Sequence, residues 1–162
     1  MFIRNETIAD IVNIAAVIER AFGRADEARL VERLRNDGDA AISLAATSGD
    51  AVVGHVLLSP MSAPFHALGL APLSVLPQWQ RRGIGSALIE AAVQRARAQE
   101  YRAIFVLGDP DYYGRFGFRA DIAAGFSSPY AGPHFMVLPL GGALPVVRGR
   151  VEYAAAFANP NL

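Results

Sequence analysis

The residues best suited to chemistry lie in one run: Leu73-Ser74-Val75-Leu76-Pro77-Gln78-Trp79-Gln80-Arg81-Arg82-Gly83-Ile84-Gly85-Ser86-Ala87-Leu88. An apolar, strand-like stretch enters a basic turn with two glycines, and a helical pattern begins at once. The free N–H groups of a helix N-terminus point outward, and its dipole favours negative charge. Gly83 and Gly85 let an anion approach the backbone, while Arg81 and Arg82 supply charge-assisted contacts. The segment therefore reads as a phosphate cradle. A nucleotide P-loop needs a lysine followed by Ser or Thr, and a dinucleotide fingerprint needs a third glycine where Leu88 stands. A bare G-x-G also serves plain strand–helix packing, so the cradle gains meaning only with its flanks.

Other chemistries are narrowed by what the chain lacks. It has no cysteine, which removes disulfides, thiolate metal sites and cysteine nucleophiles. Every basic residue is arginine, so no mechanism can use a catalytic lysine. His55, His66 and His134 have no metal-ligand spacing and read as satisfied or exposed; His66, in a Pro-rich turn, is also a candidate for lining an acceptor site. No metal is expected. Fifteen basic and fifteen acidic residues cancel, leaving no excess positive charge to hold nucleic acid or an anionic membrane. The uncharged stretches 51–80 and 122–147 are each broken by four prolines, which excludes a spanning helix. The start, Met1 to Glu6, shows no signal-peptide pattern, so a cytoplasmic protein is expected.

The elements that must position the cradle follow from periodicity. With 162 residues, 52% of them apolar, the chain has material for one core, and a single domain over 1–162 is expected. Phe2 to Asn5 is extended. Thr7 with Asp10 suggests a helix start, and Ile8, Ile11, Val12, Ala15, Ile18 and Phe22 fall on one helical face that Gly23 ends. A second helix is expected over 26–35, with Leu30, Val31 and Leu34 inward. Apolar runs 41–47 and 51–59 around Ser48-Gly49-Asp50 predict a β-hairpin. Strands are expected at 68–76, 103–107 and 135–138, and a helix over 83–99 with Ile84, Leu88, Ala91, Ala92 and Ala96 inward. A short helix is placed at 111–116, while 120–134 and 141–149 read as loops. A crossover through the 83–99 helix makes its flanking strands parallel. The fold class is α/β, a mixed sheet with helices packed on it.

Gln80-Arg81-Arg82-Gly83-Ile84-Gly85 resembles the Gln/Arg-x-x-Gly-x-Gly/Ala motif of the GNAT N-acetyltransferases, preceded as there by a strand ending in Val-x-Pro. Asp109-Pro110-Asp111-Tyr112-Tyr113-Gly114-Arg115-Phe116-Gly117-Phe118 resembles that family's Tyr-x-x-x-Gly-Phe signature, with Tyr113 on the motif tyrosine. The resemblance implies a central mixed, mainly antiparallel sheet, splayed between strands 73–76 and 103–107 to admit acetyl-CoA. It implies that N–H groups from Arg81 and Arg82 through Gly83, Ile84 and Gly85 to Ser86 bind the pyrophosphate. Those near Val75 and Leu76 would stabilise the oxyanion, and Tyr113 would protonate the departing thiolate. Tyr112 reads as packing. The implied reaction is acetyl transfer from acetyl-CoA to a primary amine, a small molecule or a peptide, directly in a ternary complex; a homodimer is compatible with it. Many relatives carry an acid on the strand before the cradle, and here only Ser74 is polar. Either the amine arrives neutral, or Asp109, Asp111, Glu19 or Glu27 serves as base. The missing acid also leaves room for an acyl-CoA-binding sensor or partner module with little turnover.

Overall fold

β1 (Phe2–Asn5) leads through a 3-10 turn into α1 (Ile11–Phe22) and α2 (Asp26–Asn36). The hairpin strands β2 (Ile42–Ser48) and β3 (Ala51–Pro60) follow, then β4 (Ala67–Val75), α3 (Ile84–Ala98) and β5 (Ala103–Leu107). The last part holds α4 (Pro110–Tyr113), α5 (Ala120–Ala123), β6 (Phe126–Ser127), β7 (Phe135–Pro139) and β8 (Gly149–Arg150). This computed structural model describes residues Met1–Ala158; residues 159–162 of the expected domain lie outside the described residues. Six strands form one sheet in the order β1-β2-β3-β4-β5-β7, and β6 pairs with β8 in a small parallel ribbon. All neighbours in the large sheet are antiparallel except β4 and β5, which the α3 crossover makes parallel.

The segment 120–134 differs from the expected plain loop, because α5 and β6 form there, while 141–148 carries neither helix nor strand and β8 begins at Gly149. Uncharged residues 51–60 and 67–75 are the paired strands β3 and β4. Among the described residues no helix is long and apolar enough to cross a membrane.

α1 corrects the sequence reading of its buried face. Asp10 accepts the Thr7 backbone N–H at 2.7 Å, and Gly23, with φ 70°, closes the helix as expected. The buried side chains, however, are Ile14, Val17 and Ile18. Ile8 and Val12 are 89% and 78% exposed, and Ile11 and Phe22 also face solvent. An isoleucine-rich helix offers two overlapping apolar stripes, and the sheet takes the one continuous with Ile14. In α3 the inward set gains Ile89, while Ala91 is half-buried. Gly54 on β3 lets this helix come close: a Cβ there would stand 3.1 Å from both Ile84 Cγ2 and Leu88 Cδ1.

On the other side of β3 a polar group is buried. Arg35 donates twice to the Glu6 carboxylate, at 2.8 and 2.9 Å, and the Ser43 hydroxyl donates to Glu6 at 2.6 Å. Ser43 Oγ lies 2.8 Å from Nε2 of the fully buried His55. Burial alone would raise the Glu6 pKa, but bonds from His55, Arg35 and Ser43 outweigh it and hold the carboxyl well below the usual range. Burial likewise lowers the His55 pKa and keeps the ring neutral. A depressed carboxyl pKa contributes stability that is present above the unfolded value of about 4.3 and is lost as pH falls. Glu6→Gln should therefore lower stability at neutral pH by about 1.5–3 kcal/mol and flatten its decline below about pH 5. Urea denaturation across that pH range measures both; an unchanged acid slope would assign the acid sensitivity to other carboxylates.

What positions the site is the end of the β4–β5 ladder. The strands pair only through Ala67↔Ala103, Leu68↔Ile104 and Gly69↔Phe105. Beyond Gly69, β4 continues to Val75 bonded to β3 alone, with a register irregularity opposite Pro72. A proline lacks an N–H, and such a bulged, one-sided position tolerates it. The sheet thus opens into a wedge.

Candidate functional site

Pro77–Trp79 turns the chain off β4, and Gln80 Nε2 ties the turn back to the Val75 carbonyl at 3.0 Å. Arg81 and Gly83 then both adopt left-handed backbone, with φ 65° and 81°. That alternation curls successive amides toward one side, and Gly83 delivers the chain into α3. The N–H groups of Ile84, Gly85 and Ser86 begin the helix and so have no intrahelical acceptor. These three residues line a cavity of about 440 Å³ whose other walls are Leu73 and Val75 of β4, the Arg81 turn, Tyr112 and Arg115.

Gly85 is the closest approach in this wall: a Cβ on it would lie 2.8 Å from the Tyr112 hydroxyl. Arg115 crosses over from the 3-10 turn Gly114–Phe116 that follows α4. Its guanidinium stacks on Tyr112 at 4.7 Å from the ring centre, and Nη2 reaches Ser86 Oγ at 3.5 Å. Two arginines, a helix start and no carboxylate in the lining make a site for a polyanion with an elongated body.

The candidate residues are placed unevenly. Val75, Arg81, Gly83, Ile84, Gly85 and Ser86 line this cavity. Arg82 does not; its guanidinium lies 5.0 Å over the Trp79 ring. Leu76 is buried in the core, and its N–H donates to the Val53 carbonyl at 2.9 Å, so it is no free donor for an oxyanion. That expectation is corrected: the sheet has already used the amide. Tyr112, read as packing, lines the cavity, and Arg115 was missed because its role comes from a contact to Ser86 on a distant element. Arg115→Met should weaken CoA binding about tenfold, with a shallower salt dependence than the parent. Calorimetry at two ionic strengths measures this; an unchanged affinity would remove Arg115 from the phosphate site.

Tyr113 packs beside Tyr112 and is not among the residues that line this cavity. Its ring is edge-on to Tyr112 at 5.1 Å and to Phe118 at 5.7 Å. It packs against Gly108, where a Cβ would be 2.5 Å from the ring. Burial, with a smaller effect of Tyr112, pushes its pKa up to about 12, so the phenol keeps its proton throughout the neutral range.

A second cavity of about 180 Å³ opens off the same unpaired stretch of β4, lined by Leu70, Ala71, Leu107, Tyr130, Tyr153 and Phe157. The Tyr153 ring sits directly on Gly69, 2.5 Å from where a Cβ would be, at the last rung of the β4–β5 ladder. Its hydroxyl is buried with no hydrogen-bond partner among the described residues. Burial, then the phenols Tyr130 and Tyr113, raise its pKa.

None of the carboxylates considered as base lines either cavity. Asp109 accepts the Asp111 N–H at 3.0 Å as the cap of α4, and Glu27 pairs with Arg24. His66 stacks on Tyr101 at 3.8 Å, away from both cavities. His134 Nδ1 is 3.1 Å from the Gly108 carbonyl.

Comparison with known proteins agrees with this geometry. Residues 9–118 match the model of the acetyltransferase (GNAT) family. Two proteins of Escherichia coli K12 named as uncharacterized N-acetyltransferases are similar. YjhQ is 37% identical over 77% of this chain and 74% of its own. YhbS is 36% identical over 73% of each. The crystal structure of E. coli YhbS in complex with CoA superposes with a TM-score of 0.91 at 33% identity, covering 99% of this chain and 93% of that one. A Brucella melitensis GNAT family acetyltransferase in complex with acetyl-CoA gives a TM-score of 0.83 at 35% identity, covering 96% and 97%.

Proposed function

Because the chain belongs to the GNAT acetyltransferase family, we propose that it transfers the acetyl group of acetyl-CoA to a primary amine, directly, in a ternary complex. The observation that carries this reading is the wedge: one strand, β4, borders a phosphate cradle at residues 73–75 and a separate small cavity at residues 70–71. Two substrates can therefore meet along one edge. The cradle fits CoA by shape and charge, since Gly85 leaves room that a side chain would fill and Arg81 and Arg115 offer positive charge.

Acetyl-CoA supplies an activated thioester. The chain's residues do the rest chiefly by holding two reactants in register and excluding water. The first turn of α3, Arg81 and Arg115 bind the pyrophosphate. The Val75 segment of β4 borders the cofactor's path and orients its acyl end. Tyr113 holds the proton that the leaving sulfur needs. The accounts balance without any other reactant: the amine nitrogen bonds to the acetyl carbon, the carbon–sulfur bond breaks, and its electron pair stays on sulfur. Tyr113 Oη gives sulfur a proton and regains one from the acylated nitrogen.

The test has two arms. Calorimetry should detect CoA binding, and acetyl-CoA with an accepted amine should release free thiol. Intact-mass measurement after acetyl-CoA alone should show no acetyl adduct on an internal residue. Binding without thiol release across a broad amine panel would favour an acyl-CoA sensor, and a stable internal adduct would replace direct transfer by an acyl-enzyme.

A further inference from the structure

We propose that the acceptor is a monoamine with a compact apolar or aromatic body, seated in the cavity of Leu70, Ala71, Leu107, Tyr130, Tyr153 and Phe157. This rests on the acetyltransfer reading and names the substrate class of that same site. The cavity opens on β4 immediately beyond the last β4–β5 rung, Gly69↔Phe105, and the cofactor cavity begins two residues further along at Leu73. An amine held at Leu70–Ala71 therefore lies along the same strand that borders the cradle. Leu107 forms the facing wall, and the next residue, Gly108, carries the Tyr113 ring.

The wall chemistry selects the body of the acceptor. Its β-strand side is aliphatic, from Leu70, Ala71 and Leu107. Its other side is aromatic, with Tyr130 edge-on to Tyr153 at 5.5 Å and Tyr153 tilted against Phe157 at 5.2 Å. Among the described residues no carboxylate lines it. The neighbouring acids are engaged elsewhere: Glu152 pairs with Arg150 at 2.5 Å, and Asp109 caps α4. A cation entering such a wall meets no counter-ion among the described residues and loses its water. The same desolvation favours the neutral form of an amine, so a single ammonium can shed its proton on entry. A second ammonium in the same molecule would gain nothing for its buried charge. Rings on one side only do not enclose a cation as an aromatic cage would.

Volume sets the size. An apolar cavity of about 150 Å³ holds a benzene molecule, so about 180 Å³ suits one ring or a short branched chain. Gly69 fixes this volume, because the Tyr153 ring rests where any side chain at that position would stand.

The experiment uses the full chain with acetyl-CoA and follows thiol release at mildly alkaline pH. Benzylamine and 3-methylbutylamine represent the proposed class, and putrescine and spermidine the dicationic alternative. The apolar monoamines should have kcat/KM at least about tenfold higher, the range one apolar contact group commands. Leu107 is 47% exposed, so Leu107→Glu should fold; it should narrow or reverse that ranking by about tenfold and leave CoA affinity within about twofold. Equal or better turnover of the diamines by the parent, turnover of neither class, or a ranking that Leu107→Glu does not move would overturn the assignment. CoA binding is measured in parallel by calorimetry. Its absence would reject acetyltransfer itself, whereas intact binding with the wrong amine preference rejects only the acceptor class.

Discussion

Tyr113→Phe is expected to lower kcat by about 10²–10⁴-fold while leaving CoA affinity within about twofold. The substitution keeps the ring that packs on Gly108 and between Tyr112 and Phe118, so the local fold survives. Only the proton is lost. A phenol raised to about 12 is protonated at every practical pH, but it is a reluctant donor to a thiolate of pKa about 8.5. Its proton can leave only as another arrives from the acylated nitrogen, so donation and recovery must be coupled. Water can reprotonate sulfur in part, and the lower end of the range is expected for that reason. The parent's pH–rate profile should show no descending limb from Tyr113 below about pH 11. Tyr112→Phe is the control: its hydroxyl faces the cofactor cavity beside Gly85, and turnover should change by no more than about threefold. Equal activity of the two variants, or loss of CoA binding with Tyr113→Phe, would end the general-acid assignment.

Gly85→Val should weaken CoA binding by about 10²-fold in a chain that still folds, because one blocked amide contact and a crowded phosphate each remove roughly 1–3 kcal/mol. The only close conflict of its Cβ is with the Tyr112 hydroxyl, the far end of a side chain that can swing aside; Leu73 and Val75 stand at 3.8 and 3.9 Å. On the proposed reading the extra methyls crowd the space given to the pyrophosphate. Gly83 separates steric from conformational roles. A Cβ there meets nothing within 4 Å, but its φ of 81° is unfavourable for other residues. Gly83→Ala should therefore cost about 1–2 kcal/mol of stability and far less CoA affinity. Calorimetry with urea denaturation distinguishes the two. Unchanged CoA binding by a folded Gly85→Val variant would show that the cradle lies elsewhere.

The strand–turn–helix around Gly83 was legible because a single local segment contains the whole device: strand end, basic turn, glycines and helix start. The hairpin and the β4–α3–β5 crossover were legible for the same reason. The face of α1 was not, since Ile11, Val12, Ile14, Val17 and Ile18 satisfy two helical stripes and only the sheet beneath decides between them. Leu76 carries the same lesson for the backbone: its place after β4 shows in the sequence, its bond to Val53 does not. Arg115 sits inside a readable motif, yet it joins the cofactor cavity by reaching Ser86 across the gap to α3, held there by stacking on Tyr112. The acceptor wall was the least legible part. Leu70, Leu107, Tyr130, Tyr153 and Phe157 come from four separate segments with no shared spacing, and Tyr153 gains its place only because Gly69 leaves one.

The wedge also bears on how this protein behaves at high concentration. A strand bonded on one side presents N–H and C=O groups to any extended chain that arrives, which is how sheets recruit neighbours and aggregate. On β4 that invitation is blunted at Pro72, which has no donor to offer and stands where the register with β3 shifts. A continuous foreign strand would lose its ladder at that point. A slender ligand with a few spaced polar groups would not. The proline thus lets an edge stay open for a cosubstrate while making it a poor template for self-association.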